Sequence, residues 1–171
     1  MTKQITLILC LLITGTLSAQ SLSPDNSVVQ NMSLSNSHNL IIKAVKVAGL
    51  VETLDSKGPF TVFAPSDDAF KKLPKETLQT LLRPESKKEL QTLLTYHVVK
   101  GKFNAKKVID LIKKNKGKVK IETLSGDKLI LSLEDGKVQI MDQNGNISIV
   151  TKADLNSSNG VIHVVDQVLK P

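Results

Sequence analysis

The side chains best suited to acid–base or metal chemistry in this sequence are three histidines, His38, His97 and His163. They lie far apart along the chain, and none belongs to a His-Glu-x-x-His motif or to a comparable spacing of zinc ligands. The sequence also lacks the Gly-x-Ser-x-Gly pattern of a nucleophilic serine and a glycine-rich phosphate loop. We therefore expect no catalytic residue, no cofactor and no metal, and we predict that the protein is not an enzyme.

Two adjacent carboxylates, Asp67 and Asp68, are the nearest approach to a calcium site. A calcium ion needs about six oxygen ligands, and two acids fall well short of that number. Ser66 precedes them and is well placed to cap a short helix, whose positive end favours acidic residues in its first turn. The sequence therefore predicts a strand-to-helix corner here.

The Tyr96–His97 pair lies at the end of a predicted helix. Leu90, Leu93, Leu94 and His97 are spaced i, i+3, i+4 and i+7, which places them on one helical face. A histidine on such an apolar face is usually buried, neutral and hydrogen-bonded. The alternative is that His97 contacts a binding partner together with Tyr96, so both are candidate partner-binding residues.

The most distinctive charged feature is a run of lysines between Lys100 and Lys120, in which Asp110 is the only acid. Asn104 is predicted to cap a helix on which the lysines lie opposite an apolar stripe. One interpretation is an ordinary solvated face, and the other is a docking surface for anionic glycans, extracellular DNA or a membrane surface. The candidate partner-binding lysines are Lys106, Lys107, Lys113, Lys114 and Lys116.

Lysine supplies almost all of the positive charge behind the formal net charge of +7, because Arg83 is the only arginine. Proteins that read nucleic-acid sequence depend on arginine forks for base edges. The chain also has no Trp, one Tyr and four Phe, so it offers few stacking platforms for bases. The composition argues against sequence-specific nucleic-acid binding and fits loose surface electrostatics better.

The first residues have the composition of a secretory signal peptide. Lys3 precedes an apolar run from Ile5 to Leu17, and small residues follow up to Ala19. The run is shorter than the roughly 20 residues that span a bilayer, so an uncleaved anchor is the weaker alternative. We predict a signal peptide at residues 1–19 and a secreted, periplasmic or cell-surface protein. Cleavage would remove Cys10, the only cysteine, and leave a disulfide-free chain.

Residues 20–37 are rich in Ser and Asn, contain Pro24 and show no sustained periodicity. We interpret them as a flexible leader, with a first strand around Val28 and Val29 as the alternative. The folded domain is then predicted to span residues 38–171.

Two hydrophobic periods divide this domain. Helical spacing dominates its first part, with one short strand at residues 60–64. From Val119 onward apolar residues alternate with a period of two, which predicts an antiparallel meander of four strands. Turn-forming pairs separate these strands at Asp135-Gly136 and Asn144-Gly145. Residues 161–169 are almost continuously apolar and predict a last strand buried on both faces, so the fold class is α+β.

Three stretches of the sequence resemble the fasciclin domain family. They are FTVFAPSDDAF at residues 60–70, LLTYHVV at residues 93–99 and NGVIHVVDQVLKP at residues 159–171. The resemblance implies a bent antiparallel β-sandwich flanked by several short helices, in a secreted or surface protein that mediates adhesion or protein–protein contact. In some animal members the Tyr-His segment is implicated in integrin recognition, which carries over here only to Tyr96 and His97.

Two functions of different classes remain open at this point. The first is an extracellular adhesion or protein-interaction module, whose lysine-rich face binds anionic matrix or glycans. The alternative is a carrier that holds a small apolar ligand between the helices and the sandwich. A basic ridge on a flat surface would favour the first function, and an apolar cavity would favour the second.

Overall fold

The computed structural model describes residues 21–171, and the predicted signal peptide lies outside them. The helices are α1 (Val28–Leu34), α2 (Asn39–Ala48), α3 (Val51–Asp55), α4 (Asp67–Lys71), α5 (Lys75–Leu81), α6 (Lys87–Tyr96) and α7 (Ala105–Lys114), with a 3-10 turn at Pro84–Ser86. The strands are β1 (Phe60–Pro65), β2 (Val98–Lys100), β3 (Lys118–Glu122), β4 (Lys128–Glu134), β5 (Lys137–Met141), β6 (Ile147–Ser157) and β7 (Gly160–Val165).

The first helix lies in the segment predicted to be a flexible leader. A capping box begins it: the Ser27 hydroxyl accepts a hydrogen bond from the Gln30 N–H at 3.2 Å, and the Gln30 side chain accepts one from the Ser27 N–H at 2.8 Å. Val28 and Met32 are one turn apart and buried, so α1 is docked on the core. The prediction of a flexible leader is therefore wrong for residues 28–34. The alternative of a strand around Val28 and Val29 is also wrong, because Ser27 caps a helix there.

The seven strands form one mixed sheet in the order β2-β1-β7-β6-β5-β4-β3. Strands β3 to β6 are the predicted antiparallel meander. Strand β7 lies between β1 and β6 and is buried along its whole length, as its apolar sequence predicts. Strands β1 and β7 run parallel, from Phe60 opposite Gly160 to Pro65 opposite Val165. The predicted α+β fold is confirmed, with one parallel pair in an otherwise antiparallel sheet.

The sheet is strongly curved. Strands β2 and β3 stand at opposite ends of the strand order. Nevertheless the N–H of Leu124, just after β3, donates a hydrogen bond to the carbonyl of Val98 in β2 at 2.7 Å. The two ends of the sheet therefore approach each other, which agrees with the bend that the family resemblance implies.

Two hydrophobic cores share the central strands. Adjacent residues of a strand point to opposite faces, so Val62 of β1 belongs to one core and Phe63 to the other. We call the first the helix-side core; its buried members include Val28, Met32, Ile41, Val45, Leu90, Leu94 and Ile162. We call the second the sheet-side core; its buried members include Tyr96, Val108, Ile112, Leu129, Leu131, Ile140 and Leu169.

A buried asparagine joins three distant segments on the helix side. The Asn159 side-chain oxygen Oδ1 accepts a hydrogen bond from the Val28 N–H at 2.9 Å, at the start of α1. Its amide nitrogen donates to the carbonyls of Leu54 and Ser56, both at 2.8 Å, at the end of α3. Asn159 therefore ties α1 and α3 to the turn between β6 and β7.

The corner after β1 caps two helices. The Ser66 hydroxyl accepts a hydrogen bond from the Ala69 N–H at 3.2 Å and so begins α4, as predicted. The Asp67 carboxylate instead reaches α2, where it accepts hydrogen bonds from the Leu40 N–H at 2.8 Å and from the Asn39 side-chain amide at 3.0 Å. Burial alone would raise the pKa of Asp67, but these hydrogen bonds outweigh it and hold the pKa below its ordinary value.

Candidate functional site

The Tyr96 side chain lies inside the sheet-side core with 0 % of its surface exposed. Its hydroxyl accepts a hydrogen bond from the Gln143 N–H at 3.1 Å and lies 3.4 Å from the Lys128 carbonyl. Burial raises the pKa of the phenol. Tyr96 therefore anchors the loop after β5 from within.

The His97 side chain is 2 % exposed and both of its ring nitrogens are paired. The Leu169 N–H donates to Nε2 at 3.0 Å, so the ring proton lies on Nδ1, which donates to the Leu93 carbonyl at 2.7 Å. Burial lowers its pKa to about 4, and the ring is neutral at pH 7. This is the buried, hydrogen-bonded histidine that the apolar face predicts.

The burial of this pair corrects one sequence-based candidate. Tyr96 and His97 offer a partner almost no accessible surface in this conformation. The helical spacing placed His97 inward, whereas the assignment of both side chains as partner contacts came from the family resemblance alone. Their observed contacts fix the segment after β7 and the loop after β5 in place.

The lysine-rich face is built on α7. Asn104 caps this helix as predicted, since its side-chain oxygen accepts a hydrogen bond from the Lys107 N–H at 2.9 Å. Val108 and Ile112 are buried beneath the helix. All five candidate lysines are exposed: Lys106, Lys107, Lys113 and Lys114 on the helix, and Lys116 just after it. Residues seven apart on a helix lie about 10 Å apart along its axis, so these lysines form two short rows.

The segment that leads into α7 is held by a histidine. The His163 Nδ1 accepts a hydrogen bond from the Asp154 N–H at 3.3 Å, so Nε2 carries the proton and donates to the Phe103 carbonyl at 2.7 Å. The Asp154 carboxylate accepts a further hydrogen bond from the Ala105 N–H at 2.8 Å, in the first turn of α7. The Lys107 ammonium lies 4.3 Å from the centre of the Phe103 ring. These contacts fix the position of the segment before α7 and, with it, the lysine-rich face.

The third histidine differs from the other two, and sequence reasoning missed its surroundings. His38 is 3 % exposed, and its Nδ1 lies 2.7 Å from the Ser35 hydroxyl and 3.2 Å from that of Ser37. The Ser-x-x-His spacing could have drawn attention to this pair. The arrangement is unlike a catalytic triad, since no carboxylate is hydrogen-bonded to the other ring nitrogen.

The part of the chain that the structure describes, residues 21–171, contains no group of three or more His, Cys, Asp or Glu side chains placed to hold a metal ion. Within the same residues, every helix is too short or too polar to cross a membrane.

A groove lies between the helices and the last residues of the chain. It has a volume of about 440 Å³, and its apolar lining includes Leu73, Leu81, Leu93 and Val168. Glu89 and Lys170 also line it. The carrier hypothesis expects a ligand between helices and sheet, whereas this groove is lined by α5, α6, the loop after β5 and the last residues of the chain.

Comparison with known proteins matches this fold and sequence to one family. The family model described as "Fasciclin domain" matches residues 36–171. The chain belongs to the fasciclin domain family. The matched range begins in the segment just before α2, so α1 of this fasciclin domain precedes it.

Two relatives and one solved structure illustrate the match. This fasciclin domain is 43 % identical over 145 residues to Protein sll1483 of Synechocystis sp., covering 85 % of this chain and 73 % of that protein. It is 33 % identical over 153 residues to transforming growth factor-beta-induced protein ig-h3 of Sus scrofa, covering 86 % of this chain but only 20 % of that protein. A FAS1 domain pair from the insect cell adhesion molecule fasciclin I superposes with a TM-score of 0.76 at 20 % identity, covering 85 % of this chain and 51 % of that one, and it confirms the fold.

Proposed function

We propose that this fasciclin domain is a secreted or surface-exposed adhesion module that binds anionic polysaccharide, or an acidic extracellular protein, through the lysine-rich face of α7. The observation that supports it best is the amphipathic build of α7, which buries Val108 and Ile112 and exposes all the candidate lysines. The solved fasciclin I structure comes from a cell adhesion molecule. The signal-peptide prediction favours an extracellular location.

In the described part of the chain, none of the candidate lysines forms a salt bridge, although the Lys107 ammonium donates to the Lys102 carbonyl and lies over the Phe103 ring. Within residues 21–171, the lysines in salt bridges are Lys71 and Lys72, which pair with Asp68 and Asp166. The only acid on α7 is Asp110. An exposed set of like charges concentrates counter-ions and attracts a polyanion over about 10 Å at moderate salt. In this proposal Tyr96 and His97 do not contact the partner. They lie beneath the surface and hold the loop after β5 and the segment after β7 in place.

The test is reversal of three charges at the end of α7, with Lys113, Lys114 and Lys116 all replaced by Glu. Each exposed ion pair is worth up to about 1 kcal/mol, so we expect affinity for heparin or alginate to fall at least about tenfold. Wild-type binding should also weaken as NaCl is raised, because salt screens exposed charges. Titration by surface plasmon resonance at several salt concentrations measures both effects.

The matched control reverses three exposed lysines elsewhere, Lys57, Lys75 and Lys88. Both triple variants have the same net charge, so a response to net charge alone would weaken them equally. We expect the control to bind within about twofold of the wild type, since it keeps the α7 rows intact. Equal loss in both variants, or binding that survives the α7 change and high salt, would contradict the proposal.

A second candidate function is that of a carrier for a small apolar ligand. The groove lined by Leu73, Leu81, Leu93 and Val168 supports it. Its volume lies within the range of natural ligand pockets, which is about 300–1,000 Å³. Native mass spectrometry of the purified protein should then reveal a retained apolar molecule. A Thr77→Trp variant, which narrows the groove, should lose that extra mass.

A further inference from the structure

One buried histidine nitrogen lacks a hydrogen-bond partner. His97 and His163 each have both ring nitrogens paired. His38 is as deeply buried, yet its Nε2 is the one buried side-chain polar atom in residues 21–171 with no partner. Leaving such a group unpaired costs about 1–3 kcal/mol, so an exception of this kind requires a reason.

The His38 ring forms part of the wall of a cavity, which we call the His38 pocket. The pocket has a volume of about 280 Å³ and lies between the segment before α1, the helix α1 itself, the start of α2 and the strands β6 and β7. Its apolar lining is Leu22, Pro24, Met32, Leu155 and Ile162, and its polar lining includes Asn31, Ser35, His38, Asp154 and Asn156. This mixture of an apolar wall and a few polar groups is typical of small-molecule sites.

The other polar groups of the pocket that are deeply buried are already engaged. The Asn31 amide donates to the Ser23 carbonyl at 2.8 Å and to the Ser157 hydroxyl at 3.0 Å, and its oxygen accepts from the Ser23 N–H at 3.0 Å. Asp154, at the exposed rim of the pocket, accepts from the Ala105 N–H. His38 is therefore the deeply buried group in this wall with hydrogen-bonding capacity to spare.

The charges around His38 argue against an anionic ligand. Asp67 and Lys152 act on the ring with opposite signs, and Asp154 in the lining disfavours an anion. A hydroxyl group can donate or accept a hydrogen bond, so it complements Nε2 whichever ring nitrogen carries the proton. The small volume suits a molecule with a single ring or a short branched chain.

We propose that the His38 pocket binds a small, neutral and largely apolar alcohol, whose hydroxyl pairs with His38 Nε2 and whose hydrocarbon part lies against Met32, Leu155 and Ile162. Nε2 is buried, so a ligand reaches it only when a neighbouring side chain moves, and we expect Met32 to be that side chain. Met32 lines the His38 pocket and, again with His38, a second cavity of about 400 Å³ beside α2. A methionine has three rotatable bonds, so its side chain can move without movement of the helix.

The test uses cyclohexanol as the probe and methylcyclohexane as the matched molecule without a hydroxyl. Long-range ¹H–¹⁵N NMR of the imidazole nitrogens resolves the three histidines by variant assignment. We expect cyclohexanol to shift the His38 Nε2 resonance saturably, to leave those of His97 and His163 unchanged, and to bind about tenfold more tightly than methylcyclohexane, as one buried hydrogen bond predicts. Equal binding of the two probes, or no saturable shift at His38, would overturn the proposal.

Two variants separate the role of Nε2 from the stability of the fold. His38→Phe keeps a planar ring but removes the nitrogen, and we expect it to bind cyclohexanol about tenfold more weakly. Leu155→Trp fills the pocket from the opposite wall, leaves His38 in place and should also abolish the shift. Melting temperatures establish that both variants are folded. A folded His38→Phe or Leu155→Trp protein that binds cyclohexanol as well as the wild type does would overturn the proposal.

Discussion

The helix-side core and the sheet-side core are held together by contacts of different sequence separation. The strands around the sheet-side core pair mostly with their neighbours in sequence, since β3 to β6 are consecutive hairpins. The helix-side core depends on polar side chains that act over long separations: Asn159 is 131 residues from Val28, and Asp67 caps α2 from beyond β1. Short helices therefore need a few remote hydrogen bonds to stay docked, whereas a hairpin spreads its stability over many local ones.

The largest expected effect follows from replacement of Asn159 by Ala. The change removes three hydrogen bonds at α1 and α3 and leaves buried backbone groups unpaired, so we expect a loss of about 4 kcal/mol in the free energy of unfolding. Urea denaturation measures this loss. Amide exchange should accelerate mainly in α1 to α3.

Asn115→Ala provides the control, since this exposed asparagine bonds only locally, to the Leu111 carbonyl. We expect it to change the free energy of unfolding by less than about 1 kcal/mol. If Asn159→Ala accelerated amide exchange equally in β3 to β5, the contrast between the two cores would be refuted.

A smaller effect should appear as a pH dependence at His97, whose ring accepts a hydrogen bond from Leu169 of the sheet-side core. The pKa rises from about 4 in the folded protein to the ordinary 6.5 on unfolding, so the unfolded chain takes up a proton in this window that the folded chain does not. The contribution of His97 to stability should therefore be complete above pH 6.5, fall by about 3 kcal/mol as the pH is lowered to 4, and level off below that.

Chemical denaturation between pH 4 and pH 7 measures this slope in the wild type and in His97→Gln. We expect a shallower slope in the variant. It should remain above zero, because burial lowers the pKa of His38 and His163 as well. An unchanged slope would show that His97 does not remain neutral in the folded core.

The smallest effect concerns the docking of α1. Ser27→Ala removes the hydroxyl that caps this helix and should cost about 1 kcal/mol. Ser33→Ala, at an exposed site in the same helix, should change stability by less than about 0.5 kcal/mol. Thermal denaturation compares the two. Equal stability of both variants would mean that α1 contributes nothing to the helix-side core.

Sequence reasoning succeeded where structure is decided locally. The period of two after Val119 and its turn pairs predicted the meander, and the Asn104 cap predicted α7. It failed for α1, because a Ser- and Asn-rich composition is typical of linkers. The capping box of Ser27 and Gln30 is a local signal for this helix, but its docking depends on tertiary contacts such as that with Asn159.

For the candidate site, too, the sequence predicted the features that depend on local pattern and missed those that depend on contacts between separate elements. Helical periodicity predicted that the α7 lysines are exposed and that His97 is buried, since both follow from position on a helix face. The His38 pocket could not be predicted, because its walls come from α1, α2, β6 and β7. The role of Asp67 as the cap of α2 also depends on a contact between separate elements, which no local pattern contains.

The curvature of the sheet has a consequence for behaviour at high concentration. An exposed edge strand offers unpaired backbone groups on which a second molecule can add a strand and begin a fibril. Here the edge strand β2 is three residues long, and its Val98 carbonyl is occupied by the Leu124 N–H. The other edge strand, β3, carries exposed Lys118 and Lys120, whose charges repel a like copy. The bend at β2 and the lysines of β3 thus disfavour self-association through the edge strands.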